Sequence, residues 1–423
     1  MSEPGKVYRG YGIRKKGPGS ARRWIEPTPE LWLRNTARAE AALAQPFKGI
    51  SHDGHIVPGL FPLSPTGIST RPIVQAGLNF IATLDPIQAR AALHPINSQN
   101  WRKWCNWEQF PFRHGVSLEE MNATQRAAAL DLLSVSLSAR GYDVARNVMK
   151  LNHTLGEITG NWEFLGEWLY FLCIFGTPSA TEPWGWQLDG HHLNLNYFVF
   201  GDQIVMTPGF WGAEPNHADD GIYAGLREFE IEERRGLELM RALSPAQQSK
   251  ALLFASMLSH DHPPGRYDAN NGRQQAVAFN DNAIIPYEGI RADALDRSQQ
   301  MMLVDLIKVY VSHLRDPHQA PWLAQIEQHI NDTFFAWVGG SGDEDTFYYK
   351  VHSPVLLIEF DMHKGVFLDN DEPEKFHVHI TLRTPNGGDY GKDLLGQHLA
   401  RHHHGHDDRH HHHDNQSHEK NGN

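Results

Sequence analysis

The stretch Phe376-His377-Val378-His379-Ile380-Thr381-Leu382-Arg383 decides how this chain is read. Its apolar residues alternate with polar ones. Successive side chains of a strand point to opposite faces, so Phe376, Val378, Ile380 and Leu382 share one face, and His377, His379, Thr381 and Arg383 share the other. Upstream, Tyr348 to Val351 and then Val355-Leu356-Leu357-Ile358-Glu359-Phe360, apolar on both faces, make residues 347–382 a β region. A second β region lies at Leu193 to Val205, LNLNYFVFGDQIV, where Gly201-Asp202 supplies a two-residue hairpin turn.

Helical patterns fill the space around these strands. Ser117-Leu118-Glu119-Glu120 reads as a capping box for a helix carrying Met121, Ala128, Leu132 and Leu133 and stopped by Gly141. Asp85-Pro86 and Ser244-Pro245 each place a capping side chain before a proline at the first helical position. Further helices are expected near residues 296–315 and 318–336, and the apolar run Trp168 to Phe175 is read as a core helix, too short to cross a membrane. The expected fold class is α+β, a largely helical domain with an antiparallel sheet that carries the histidine motifs. Residues 40–402 form one domain on this reading, preceded by a basic, flexible arm over 1–39 and followed by a disordered His-rich tail over 403–423.

Composition narrows the function classes. The chain has 423 residues, with 38 Lys and Arg against 50 Asp and Glu, a formal net charge of −12. An acidic body argues against nucleic-acid binding, which needs clustered cations. The cationic exception is the arm, with Lys6, Arg9, Arg14, Lys15, Lys16, Arg22 and Arg23 against Glu3. Cys105 and Cys173 form no Cys-x-x-Cys pair, and no secretory signal or membrane span is read, so a reducing cytoplasmic setting is expected. Glycine loops for phosphates, dinucleotide fingerprints and Gly-x-Ser-x-Gly are all missing from the sequence.

The 27 histidines are the unusual feature. On the strand, His377 and His379 are about 6.5 to 7 Å apart along one face, a spacing from which two imidazoles converge on one metal ion. Gly190-His191-His192-Leu193 opens the first hairpin, and alternation sends its two histidines to opposite faces, one of them toward the site. Asp389 to His402 reads as a capped helix with His398 and His402 four apart, joined to the His-x-His strand by the turn Pro385 to Gly388. Glu359 is expensive to bury as an ion unless it ends its strand in water, meets Arg383, or serves a metal-bound water as general base. Arg383 shares the histidine face and is either a bidentate clamp for a substrate carboxylate or half of a structural salt bridge. His260-Asp261-His262 and His52-Asp53-Gly54-His55 read as loops, and the tryptophans 101, 104, 107, 184 and 186 as packing residues.

A set of spaced motifs then points to a family. Phe47-Lys48-Gly49-Ile50, Phe175-Gly176-Thr177-Pro178, Trp184-Gly185-Trp186 with Gly190-His191-His192-Leu193, Thr207 to Pro215, and His377-Val378-His379 running into Arg383-Thr384-Pro385 and Asp389-Tyr390-Gly391 together resemble the family called domain of unknown function 3500. The resemblance covers roughly residues 40–402. It implies one domain in which these motifs belong together and supplies no chemistry. Asn386-Gly387-Gly388 departs from the shorter turn expected before Asp-Tyr-Gly.

From the residues themselves the expectation is a metal-dependent enzyme on His191 or His192 with His377, His379 and His398, most simply a zinc hydrolase acting on a small, possibly anionic substrate. Glu359 and Arg383 are its candidate catalytic residues. An all-imidazole shell equally suits copper or iron, giving an oxidoreductase, while a non-catalytic metal-binding protein would use the tail.

Overall fold

A computed structural model describes residues 29–108, 111–268, 270–368 and 370–407; side chains are described from 33 to 401. Most of the expected arm and most of the His-rich tail therefore lie outside the described residues. A helix already begins at Pro29, and the C-terminal helix runs from Lys392 to Asp407.

Thirteen strands join one sheet: β1 (Leu93–His94), β2 (Val116–Ser117), β3 (Tyr170–Phe175), β4 (Trp184–Gly190), β5 (Leu193–Phe200), β6 (Gln203–Val205), β7 (Gly209–Ala213), β8 (Leu252–Phe254), β9 (Ile290–Arg291), β10 (Phe334–Gly339), β11 (Phe347–Ser353), β12 (Leu356–Lys364) and β13 (Pro373–Arg383). The order across the sheet is β1-β3-β4-β5-β7-β13-β12-β11-β10-β8, with β2 on β3, β6 on β5 and β9 on β10. Among the described strands, β1–β3 and β8–β10 pair in parallel and the other pairs are antiparallel. With ten helices among the described residues, the fold is α+β around a mostly antiparallel sheet.

Local signals placed several elements well. Asp85 and Ser244 each cap a helix through a capping box with proline behind, and Gly201-Asp202 closes the β5–β6 hairpin with Gly201 at φ 61°. Others moved. The helix expected after Ser117 is capped instead by Asn122, whose side chain accepts from Gln125 N while Ser117 sits in β2. Gly141 does not stop it: a new helix, Ala139–Thr159, starts there, and a Cβ at Gly141 would strike the His313 carbonyl, so the close approach of the turn after Arg297–Val311 explains the glycine. Trp168 to Phe175 is not a helix, because its six apolar residues from Tyr170 form β3, buried on both faces. A short apolar run of that kind fits a buried strand as well as a helix. The segment 318–336 is a helix only over Asp316–Gln328, and β10 starts at Phe334.

The two faces of the central strands differ in kind. Val378, Ile380 and Leu382 of β13 join the main apolar core with Ile358, Phe360 and Met362 of β12. On the opposite face, His377, His379, Thr381 and Arg383 are also buried, as are Glu359, Asp361, His363 and Lys350 on the neighbouring strands. A polar strand face usually meets water. Here the segment around Arg273 to Asp281 covers it, held by backbone donation from Gln275 and Ala276 to Glu359 and by Arg273 on Asp361.

Candidate metal centre

Strand pairing assembles three of the expected histidines. His379 of β13 lies opposite Gly212 of β7, and Leu193 of β5 lies opposite Trp211, so His192, the residue before Leu193, stands beside His379 across Gly212. Only glycine permits this. A Cβ at Gly212 would stand 3.0 Å from His192 Cδ2 and 3.1 Å from His379 Cδ2. His191 and His192 form the turn between β4 and β5, and His192 takes φ 62°, a left-handed conformation that costs a side-chain-bearing residue about 1–2 kcal/mol. Such strain concentrates where a side chain has to be aimed. Tyr170 donates its hydroxyl to the His191 carbonyl at 2.9 Å, and Gly212 N donates to the His192 carbonyl at 2.8 Å, which fixes the turn.

The resulting geometry is compact. His377 Nε2 is 3.0 Å and His192 Nε2 is 3.1 Å from His379 Nε2, and all three ligand atoms lie within 4.8 Å of one another. Tetrahedral coordination at about 2.0–2.1 Å would set neighbouring nitrogens roughly 3.3 Å apart, so the two short separations are close to what one ion requires. Proton bookkeeping strengthens the case. The Nδ1–H of His377 donates to the Lys364 carbonyl at 2.7 Å, leaving its Nε2 as a bare lone pair. One hydrogen on His379 Nε2 would have to serve two acceptors, and a hydrogen on His192 would leave two lone pairs facing each other at 3.0 Å. A cation removes the conflict.

Electrostatics keep these rings neutral, as ligation demands. Burial pushes the pKa of His377 and of His191 down to about 3, and burial with neighbouring imidazoles pushes His192 and His379 down as well. His191 itself turns away from the centre: it stacks on His192 at 3.9 Å and its Nδ1 pairs with Asn152 Oδ1 at 2.7 Å. Of the pair, His192 is the one whose ring nitrogen groups with those of His377 and His379.

Two residues that the sequence reading passed over complete the surroundings. His363, fully buried, has its ring 4.9 Å from that of His377 and 4.8 Å from that of His379, and its Nδ1 shares the Lys364 carbonyl at 3.0 Å. Burial lowers its pKa to about 4. Alternation past Phe360 would have found it, since Glu359, Asp361 and His363 are spaced by two, but β12 was ended too early. Glu214 accepts from the backbone N–H groups of Val366, Phe367 and Leu368 and lies 3.8 Å from His377 Nδ1. Its contact partners are far away in sequence, so no spacing announces it.

The remaining candidates serve elsewhere. Glu359 accepts from Gln275 N, Ala276 N and the Tyr348 hydroxyl, which ties down the covering segment and leaves Arg383 and the histidines unpartnered by it. Arg383 donates to Asp389 at 2.7 Å, to Asp281 at 2.7 Å and to the Ala276 carbonyl at 3.0 Å, so the structure shows it in buried salt bridges rather than free on the histidine face. His398 is not brought to the centre. Its ring lies 4.8 Å from Phe200, at the end of β5 remote from His192 by about 25 Å of strand, and its Nε2 is 3.6 Å from Glu182 Oε2.

The motifs that meet here, Gly190 to Leu193, Gly209 to Glu214 and His377 to Arg383, fall within residues 66–392, which match the model of the family described as Protein of unknown function (DUF3500). The chain belongs to the DUF3500 family. Curated proteins and solved structures gave no match. The DUF3500 segment contains the whole histidine centre, whereas His398 lies beyond its end.

Proposed function

We propose that this DUF3500 protein is a metal-dependent enzyme whose ion is held by His192, His377 and His379. The carrying observation is the convergence of three buried imidazole nitrogens that no arrangement of protons satisfies as pairwise hydrogen bonds. Three protein ligands leave a further coordination position, the hallmark of a catalytic rather than a structural zinc site. A zinc ion there would bring the pKa of a bound water to about 7 and supply a hydroxide nucleophile, so hydrolysis of a small substrate is the favoured chemistry. The chain's own contributions are orientation and charge. Lys364 fixes the His377 tautomer through its carbonyl, His363 presents a second buried imidazole beside the centre, and the Glu214 carboxylate stands near the ligand ring. Because Arg383 is committed to Asp281 and Asp389, the reason for an anionic substrate falls away. The all-nitrogen donor set supports a copper or iron oxidoreductase as the second reading.

Metal content decides between a body site and a tail site. Protein ending at Ala400 and the full chain are each loaded with Zn²⁺ or Cu²⁺ and desalted. One tightly held equivalent is expected in the shortened protein, abolished by His377→Ala with His379→Ala. Absence of a stoichiometric ion, or its retention in the double variant, overturns the proposal.

A further inference from the structure

A cavity of about 470 Å³, within the size range of small-molecule sites, opens beside the helix Asp316–Gln328, far along β13 from the histidines. One wall comes from the turn after β13 and the start of the C-terminal helix, with Thr384, Gly388 and Leu394; another comes from Asp202 to Met206 around the β5–β6 hairpin. Segment Leu60 to Thr66 and the helix complete it. Phe61 and Trp322 give it aromatic surface, and Pro62, Pro65 and Pro321 make that surface stiff.

Two observations indicate what would bind. The imidazole of His318 lines the cavity, is only 7% exposed, and makes no hydrogen bond to the described residues. A ring with no protein partner on a cavity wall keeps a nitrogen available to whatever enters the cavity. The charge on the walls is of one sign. Asp202 and Asp393 line the cavity, and neither Lys nor Arg does. Asp202 is held rigidly, its Oδ2 accepting from Thr66 N at 2.8 Å and Gly67 N at 2.6 Å, and Asp393 Oδ2 accepts from Gln397 Nε2 at 2.6 Å.

We infer that this cavity is a binding site for a small organic amine with an aromatic or similarly flat apolar body. The ammonium group donates to the bare nitrogen of the neutral His318 ring in the field of Asp202. The apolar body lies among Phe61, Trp322 and Met206, where a cation also gains from the aromatic faces. An anion would meet two carboxylates, and no Lys or Arg among the described lining residues offsets them, although Arg315 acts on the His318 ring from outside the lining.

Benzylamine, benzyl alcohol and benzoate are the probes, each titrated into the full chain at millimolar concentration and followed by ligand-observed saturation-transfer NMR. Benzylamine is expected to bind, benzyl alcohol about tenfold more weakly, corresponding to about 1.4 kcal/mol, and benzoate not measurably. Ala324 lies on the exposed side of the helix and at the cavity, so Ala324→Trp fills the space without disturbing the core and abolishes binding. His318→Leu weakens benzylamine while leaving thermal stability unchanged or higher. Benzoate or benzyl alcohol binding as tightly as the amine, no binding by any probe, or unchanged affinity in Ala324→Trp would overturn the assignment. His377→Ala leaves benzylamine binding intact, which separates this test from that of the metal centre.

Discussion

The two ends of the β13 polar face solve the problem of buried polarity in opposite ways. At the Arg383 end the charged groups are paired: Asp281 takes Arg383, Arg102 and the Tyr390 hydroxyl, Asp389 takes Arg383 and Thr384 N, and Trp104 donates to Tyr390. At the histidine end, about 13–20 Å away along the strand, nitrogens crowd together with too few protons to go round, and His379 Nδ1 and His363 Nε2 have no partner among the described residues. Both ends are equally buried. Saturation is what a scaffold shows, and its lack at the histidine end is what motivates the proposed ligand site there, with His363 beside it and Arg383 outside it.

The largest expected effect tests the scaffold end. Arg383→Met removes the guanidinium and leaves Asp389 buried beside Asp281 with its main counter-charge gone, so a loss of about 3–5 kcal/mol is expected in urea unfolding of the metal-free protein. A loss under about 1 kcal/mol would mean that the ionic knot holds nothing in place, and the contrast between the two ends would collapse.

Acid titration probes the other end. The unfolded chain binds protons on histidine near 6.5, whereas burial holds His377 at about 3 and His363 at about 4 in the folded state. Between these limits the unfolded state carries more protons, so stability is complete above about pH 6.5 and is lost as pH falls. Each such ring contributes a slope of up to about 1.4 kcal/mol per pH unit. Unfolding midpoints measured from pH 7 to pH 4 should fall steeply, and the variant His363→Phe should fall less steeply. An unchanged slope in that variant would show that the ring is not held neutral by burial.

How far the sequence carried these conclusions depended on the kind of signal. Alternation in residues 376–383 named His377 and His379, their shared face and the apolar face behind them, because period-two patterning is local and each face meets a different environment. The hairpin at Gly201-Asp202 and the caps at Asp85 and Ser244 were legible for the same reason. Burial of the polar face was not legible. It depends on the segment Arg273 to Asp281 reaching over β12 and β13 from some 80–110 residues away, and on partners such as Asp281 that only the fold supplies. The same lack of long-range information made helical spacing recruit His398, although its helix directs that ring toward Phe200.

Gly212 offers a smaller and more selective test, because it belongs to the histidine end alone. Its missing side chain is the gap through which His192 and His379 approach, and an added methyl would press on both rings and on the Val378 carbonyl at 2.9 Å. Neither Arg383 nor Asp281 is within reach of that methyl. Gly212→Ala should therefore cost about 1–3 kcal/mol, typical of overpacking a closed interior, and should separate the two imidazoles by a few tenths of an ångström. A tripod displaced in this way binds its ion less well, and supporting changes around a metal site commonly lower affinity about 10–100-fold. Competition against a zinc chelator reads that loss directly. Undiminished affinity in a folded Gly212→Ala protein would show that His192 is not a ligand, leaving His377 and His379 with some other third partner.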